Sequence, residues 1–385
     1  MSKSTPWSPA ASSTPSAPAA QTSATTRSAQ SWSPARAARR KSALFIVLLA
    51  LSLFSGGCYY GHLAQGQARL LWKRIDIEDA LAAPDTSPIL ADRLRTVIAT
   101  RGFAREIGLE VGGQYTSYVP WTGDRIITTL VATEPGKLDA HPFVFPIVGA
   151  VPYKGFFDRS LAERQAEKFR DQGFDVCLTP VSAYSTLGFF DDPVSAPMLR
   201  ASQGRLVETL IHEFVHATFF VENEPGFNEG AALFIGQEAS VLFFIEIPEK
   251  AQRRRQEVQD ARLLAEFLLE FQRQLQVLYA EEDDVAERRL RRKLAEQDAR
   301  SELAELPFSA YDAKKLAASL KLNDACLALR GTYAEDLPIF ERALAANQED
   351  LKALIGALRA AAESEEARKS FLEADRLRSG PSEVE

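Results

Sequence analysis

The sequence is poor in the residues that build disulfide-rich scaffolds and metal clusters. It contains 3 Cys, 4 His and 2 Met among 385 residues. Three cysteines exclude a disulfide scaffold and a four-cysteine zinc module. A net charge of −7 leaves no dominant basic surface, so we do not expect a nucleic acid as a partner. The apolar content of 46% excludes global disorder and is enough for a sizeable core.

The first 57 residues contain no acidic residue. Residues 2–35 consist mainly of Ser, Thr, Ala and Pro, which predicts disorder. A basic cluster over 36–41 then precedes an apolar run from Ala43 to Phe54, too short to span a membrane, which needs about 20 residues. This order predicts the hydrophobic region of a secretory signal peptide.

Small residues lead from this run to Cys58, and the whole pattern resembles a bacterial lipoprotein signal. The resemblance implies that Cys58 is lipidated and becomes the first residue of the mature chain. Tyr59 in the next position favours the outer membrane, so we expect an envelope lipoprotein facing the periplasm. The alternative is an uncleaved anchor with an incidental cysteine.

We expect residues 58–385 to form one domain of α+β class, mostly α. Its first part, residues 58–200, predicts a small sheet with helices packed against it. One predicted hairpin pairs residues 115–119 with residues 126–131 across Gly123 and Asp124.

The rest of the domain is expected to be helical. Residues 201–245 predict the helices of a functional site, and residues 246–385 a long helical region. Within it, residues 250–305 contain neither Gly nor Pro and predict a long charged helix or a helical hairpin.

The motif with the clearest chemistry is His212-Glu213-Phe214-Val215-His216. Residues four apart lie on one face of a helix, so both imidazoles can bind one metal ion. Glu213 is rotated by about 100° and can hold a water molecule beside that ion. Its apolar neighbours predict a buried helix, on which these polar groups would be costly without a metal. The alternative is two hydrogen-bonded core histidines.

A catalytic zinc ion usually has three protein ligands and one open position. After His216, residues 221–226 predict a turn and residues 227–234 restart a helix that would return over the histidine face. We therefore expect Glu229 as the third ligand, with one Zn²⁺ per chain. Four residues remain as alternatives: Glu208, Glu238, His62 and His141.

This motif, followed by Asn228-Glu229-Gly230, resembles the gluzincin metallopeptidases, in which an Asn-Glu-Gly segment supplies the third zinc ligand. Further segments resemble a bacterial family of aminopeptidase lipoproteins: Cys58-Tyr59-Tyr60, Arg101-Gly102-Phe103-Ala104, Pro152-Tyr153-Lys154-Gly155, Ala183-Tyr184-Ser185-Thr186 and Asn323-Asp324-Ala325. The resemblance implies a zincin-like fold, bound Zn²⁺ and an aminopeptidase acting on peptide or protein substrates. The Gly-Ala-Met-Glu-Asn segment of gluzincin aminopeptidases is absent, so a zinc endopeptidase remains an alternative.

In a zinc peptidase that activates water, Glu213 is the expected general base. Tyr184 is the expected oxyanion stabiliser because it lies in one of the resembling segments; Tyr153 and His141 are alternatives. An aminopeptidase also needs an acid for the substrate amine, and four remain open: Glu208, Glu222, Glu224 and Glu238. A different class of function is a non-catalytic envelope lipoprotein whose metal is structural.

Two cysteines remain in the mature chain. Export would place Cys177 and Cys326 in an oxidising compartment, where they could pair. Two buried thiols are the alternative.

Overall fold

The computed structural model describes residues 57–145, 149–182, 191–222, 224–281, 284–328 and 336–376. By their contacts, residues 58–385 form one unit. The leader and signal peptide expected over the first 57 residues lie almost entirely outside the described part. Cys58, the expected lipidation site, is described in its backbone only.

The N-terminal part of the described chain is mainly helical, with one short strand. It comprises α1 (Gly57–Trp72), β1 (Ile75–Asp76), α2 (Ile77–Ala82) and α3 (Pro88–Glu106). Helix α3 begins with Pro88, which has no N–H to leave unpaired, and the Ser87 side chain accepts a hydrogen bond from Leu90 N.

The strands that follow form three small sheets in the described part of the chain, one of which includes β1. These strands are β2 (Ser117–Val119), β3 (Ile127–Thr133), β4 (Phe143–Phe145), β5 (Gly149–Val151), β6 (Lys154–Phe156), β7 (Asp175–Val181) and β8 (Val194–Ser195). The strand orders are β1-β2-β8, β6-β3-β7 and β4-β5. Pairing is antiparallel throughout, except that β2 runs parallel to β8. Helix α4 (Arg159–Asp171) precedes β7.

The predicted hairpin over residues 115–131 is wrong. Both strands exist, but β2 and β3 belong to different sheets. Gly123 does form a turn, with φ of 118°, and the link then carries the chain from one sheet to the other. The reason is burial, because six of the seven residues of β3 are buried. Buried backbone N–H and C=O groups need hydrogen-bond partners on both edges of the strand, and β6 and β7 supply them.

The C-terminal half is helical, as predicted. It comprises α5 (Ala196–Leu199), α6 (Gln203–Thr218), α7 (Pro225–Leu242), α8 (Pro248–Glu281), α9 (Val285–Glu305), α10 (Ala313–Ser319), α11 (Asp324–Leu327), α12 (Leu337–Ala346), α13 (Leu351–Glu363) and α14 (Glu365–Arg376). Helices α8 and α9 are the hairpin form of the predicted charged segment. In the part of the chain that the structure describes, no helix is long and apolar enough to cross a membrane.

The largest hydrophobic cluster surrounds α6 and α7 and fixes the position of the histidine motif. It includes Leu210, Ile211 and Phe214 of α6, all fully buried, and Ala231 and Ile235 of α7. Coarsely, the chain is therefore α+β and mostly helical, as expected.

The two remaining cysteines are joined. A disulfide links Cys177 on β7 to Cys326 on α11, with a Cα–Cα distance of 4.9 Å. Of the two alternatives left open by the sequence, the structure has the pair, which attaches the helical half to the sheet.

Candidate metal centre

Helix α6 carries both histidines on one face. The side chain of Ser202 caps its N-terminus by accepting a hydrogen bond from Arg205 N at 3.3 Å. The opposite face of the helix is buried in the main core. The rings of His212 and His216, one turn apart, lie edge to face with centroids 4.8 Å apart.

Asn228 closes the connection from α6 back to α7. Its side-chain oxygen accepts a hydrogen bond from Val221 N at 2.8 Å, and its side-chain nitrogen donates to Val221 O at 2.7 Å. These two bonds satisfy a buried amide and fix the start of α7. Glu229, the next residue, is thereby held over the histidine face.

Two glycines let α7 pack closely enough for this arrangement. A Cβ atom on Gly236 would lie 3.0 Å from the carbonyl oxygen of Glu208 and 3.6 Å from Cβ of His212. A Cβ atom on Gly230 would lie 2.9 Å from the ring of Phe340. The glycine of the Asn-Glu-Gly segment therefore makes room for a core ring behind the site.

Three donor groups converge at this place. The Nε2 atoms of His212 and His216 are 3.1 Å apart. The two carboxylate oxygens of Glu229 lie 3.2 Å from His212 Nε2 and 3.5 Å from His216 Nε2. Tetrahedral zinc with such ligands separates donor atoms by about 3.3–3.5 Å. The donor types and spacing therefore fit one zinc ion.

The electrostatics of the three groups are coupled. Burial alone would raise the pKa of the Glu229 carboxyl, but hydrogen bonds to His212 and His216 and their charge lower it to about 2. Burial acts to lower the pKa of His212, yet the bond to Glu229 and the charges of nearby glutamates raise it. The carboxylate and the two imidazoles thus lie together at a site whose electrostatics favour the binding of a cation.

The centre is partly open to solvent. The side chains of His212 and Glu229 are 25% and 30% exposed, whereas His216 is 8% exposed. The Glu213 carboxylate has no hydrogen-bond or ion-pair partner among the residues that the structure describes. An accessible centre next to an unengaged carboxylate can accommodate water and a substrate.

The alternative third ligands are engaged elsewhere. Glu208 pairs with Arg254, and Glu238 with Arg255 and Arg262, both at 2.7 Å. His62 Nε2 accepts a hydrogen bond from the backbone of Phe157 at 2.9 Å, and His141 packs among phenylalanine rings of the sheet region.

Tyr153 is an alternative for the oxyanion stabiliser. Burial, and then the negative charge of Glu229, raise the pKa of its phenol above the ordinary value. The expected stabiliser, Tyr184, lies outside the described residues.

Tyr115 is a residue that the sequence analysis does not single out. It is 1% exposed, has a left-handed φ of 56°, and packs edge to face on Phe214 at 5.6 Å. Burial, and then the charges of Glu213 and Asp192, raise the pKa of its phenol well above the ordinary value. A neutral hydroxyl group on a strained backbone thus lies in the field of Glu213. The preceding Gly112 and Gly113 were the only sequence signal for an unusual backbone there.

Comparisons with known proteins find one family model. A model described as "Putative aminopeptidase" matches residues 58–372. No curated protein and no solved structure matches the chain.

Proposed function

Because the chain belongs to the putative aminopeptidase family, we propose that it is a zinc-dependent peptidase. The observation that supports this most is the approach of His212 Nε2, His216 Nε2 and the Glu229 carboxylate to within 3.5 Å of one another. The unengaged carboxylate of Glu213 stands next to them in sequence.

In this proposal His212, His216 and Glu229 hold the zinc ion. Zinc bound there supplies Lewis acidity, which lowers the pKa of water towards neutrality and polarises the scissile carbonyl. Glu213 accepts the proton of the attacking water and delivers it to the leaving amine. Tyr153 donates a hydrogen bond to the developing oxyanion, a role supported by the effect of the Glu229 charge on its phenol.

Aminopeptidase specificity requires an acid for the substrate amine. Three of the four candidates pair with arginines: Glu208 with Arg254, Glu224 with Arg368, and Glu238 with Arg255 and Arg262. Glu222 is exposed and has no ion pair within the described ranges. If the enzyme removes N-terminal residues, we therefore expect Glu222 to bind the amine.

We place this peptidase in the bacterial envelope, attached to the outer membrane through a lipid on Cys58 and facing the periplasm. The disulfide between Cys177 and Cys326 supports an oxidising compartment. Mass spectrometry of the membrane-extracted chain tests the anchor: an acylated N-terminal peptide beginning at Cys58 is expected, and an unmodified Cys58 would contradict it.

The activity is tested with Glu213→Gln against Glu167→Gln, an exposed carboxylate on α4 that serves as the matched control. The substrates are an aminoacyl-amide panel and unstructured peptides with free and with acetylated N-termini. We expect Glu213→Gln to lower turnover by about 10²–10⁴-fold while one zinc per chain is retained. Cleavage of free N-termini alone indicates an aminopeptidase, and cleavage of acetylated peptides an endopeptidase. Undiminished turnover in Glu213→Gln would refute the mechanism.

A further inference from the structure

A cavity of about 500 Å³ lies at the N-terminal end of α6. Its walls come from α3, the first turn of α6, the turn after α7 and the first turns of α8. Nine residues separate Gln203 in this wall from His212, which is about 13 Å along a helix. The cavity is therefore distinct from the candidate metal centre.

The charged groups that line the cavity are mainly positive. They are Arg93, Lys250, Arg253, Arg254, Asp92 and Glu257. Both acids are already engaged, because Asp92 accepts a hydrogen bond from Gln203 at 3.0 Å and Glu257 pairs with Arg254 at 3.0 Å. Glu257 also pairs with Arg253 at 3.5 Å, and Glu208, outside the wall, pairs with Arg254. The four cations of the wall still outnumber its two acids together with Glu208.

Arg254 forms a fixed part of the wall. It is 3% exposed, and its guanidinium donates to Ser240, Glu257 and Glu208. A Cβ atom on Gly204 would lie 2.5 Å from Cδ of Arg254, so only glycine lets this side chain pass the start of α6. The cavity is thus bounded by a buried hydrogen-bond network.

Among the residues that the structure describes, Arg93 and Lys250 are the cations of the cavity wall that lack an acidic partner. Nη1 of Arg93 is buried and has no hydrogen-bond partner in this described part of the chain. Lys250 Nζ donates to a neutral acceptor, the side-chain oxygen of Gln203, at 3.2 Å. Arg93 and Lys250 both line the cavity, so their charges act on an anion that binds there.

The backbone adds a weaker attraction of the same sign. Ser202 caps the N–H of Arg205, while the first N–H groups of a helix have no acceptor within the helix. Those of Gln203 and Gly204 belong to this turn, and both residues line the cavity. The positive end of the α6 dipole therefore reinforces the arginine and lysine side chains.

We propose that this cavity binds a phosphate group. A tetrahedral anion with several oxygens can accept hydrogen bonds from a guanidinium, an ammonium and backbone N–H groups together, which a single carboxylate cannot do as fully. The volume lies within the range of small-molecule sites, so it has room for the organic part of a phosphorylated ligand. The inference does not depend on the proposed peptidase activity.

The test measures thermal unfolding of the purified protein in rising inorganic phosphate, with sodium chloride holding the ionic strength constant. A ligand that binds the folded state alone raises the unfolding temperature in a saturable way. We expect this for wild type, and a dissociation constant about tenfold or more higher for Arg93→Gln, which removes a charged donor. Arg95→Gln, an exposed change on the same helix outside the cavity wall, is the matched control.

A second arm replaces phosphate with glycerophosphoglycerol, the head group of an anionic phospholipid without its acyl chains. Arg93-dependent stabilisation by inorganic phosphate alone assigns a soluble phosphate ligand; stabilisation by the diester at lower concentration assigns a lipid head group. Both results support the site. The proposal is overturned if neither compound stabilises beyond the chloride control, or if Arg93→Gln and Arg95→Gln weaken the effect equally.

Discussion

The sequence contains two carboxylates that could be the third zinc ligand, Glu208 and Glu229. The same substitution, Glu to Gln, made at each position can distinguish between them. Glu208 precedes His212 by one turn on the same helix, whereas Glu229 comes from the returning helix. The structure pairs Glu208 with Arg254 and brings Glu229 to the two histidines. We therefore predict that Glu208→Gln and Glu229→Gln have opposite consequences.

The magnitudes follow from the surroundings of each group. Glu208 is 6% exposed and Arg254 3% exposed, so Glu208→Gln leaves a buried guanidinium with Glu257 as its remaining acidic partner. Breaking a buried pair in this way costs about 3 kcal/mol of unfolding free energy, the lower end of the usual range, because Glu257 remains. The Glu229 side chain is 30% exposed and its partners are imidazoles, so Glu229→Gln should lower the unfolding free energy of the metal-free protein by less than Glu208→Gln does.

Zinc affinity should respond in the reverse order. Loss of a group that only supports a ligand weakens metal binding by about 10–100-fold, so loss of a direct ligand should exceed about 100-fold. The assays are urea unfolding of the metal-free proteins and competition for zinc with a chelator of known affinity. Glu208→Gln should weaken zinc binding by no more than about 100-fold, as expected for a group that only supports a ligand. A stable Glu208→Gln protein that has lost zinc, beside a Glu229→Gln protein that retains it, would refute the assignment.

Three further predictions concern the surroundings of the centre. Tyr153→Phe should lower kcat by about 100-fold with zinc content unchanged, while the exposed Tyr60→Phe control stays at wild-type activity; equal kcat values would exclude Tyr153 as the oxyanion stabiliser. Replacing Cys177 and Cys326 together by Ser should lower the unfolding free energy by roughly 2–4 kcal/mol in urea titrations. A reductant should bring wild type to the same value and leave the variant unchanged, and any other pattern would argue against the disulfide. Removing zinc with a chelator should abolish turnover reversibly and leave the helical circular dichroism intact; unfolding on chelation would instead indicate a structural metal.

The local parts of the centre could be predicted from the sequence. The i, i+4 spacing of His212 and His216 defines their common face on any helix, and the turn after His216 brings Glu229 back by a short local connection. The roles of the neighbouring residues could not be predicted in this way. Asn228 is a clamp on Val221, and Gly230 makes room for Phe340, more than a hundred residues later in the chain.

In the sheet region, the sequence predicted where strands lie but not which strands pair. The strand positions were predictable from β-branched and aromatic residues, but the pairing of β2 and β3 was not, because partners are selected by long-range burial. Tyr115 was missed for the same reason. Nothing in its own sequence neighbourhood indicates that it packs on Phe214, about a hundred positions away.

The packing around the centre favours a catalytic over a structural role for the proposed metal. A structural zinc ion usually supplies folding energy that the chain lacks, and its coordination is closed by protein ligands. Here α6 and α7 are already joined by the close contact at Gly236, by the Asn228 clamp and by the largest hydrophobic cluster. Within the described ranges, three donors converge rather than four, and the neighbouring carboxylate of Glu213 has no hydrogen-bond or ion-pair partner. The interface between α6 and α7 is thus held together without a metal, and the ligand set is incomplete. This is the arrangement expected where a metal ion acts on a substrate.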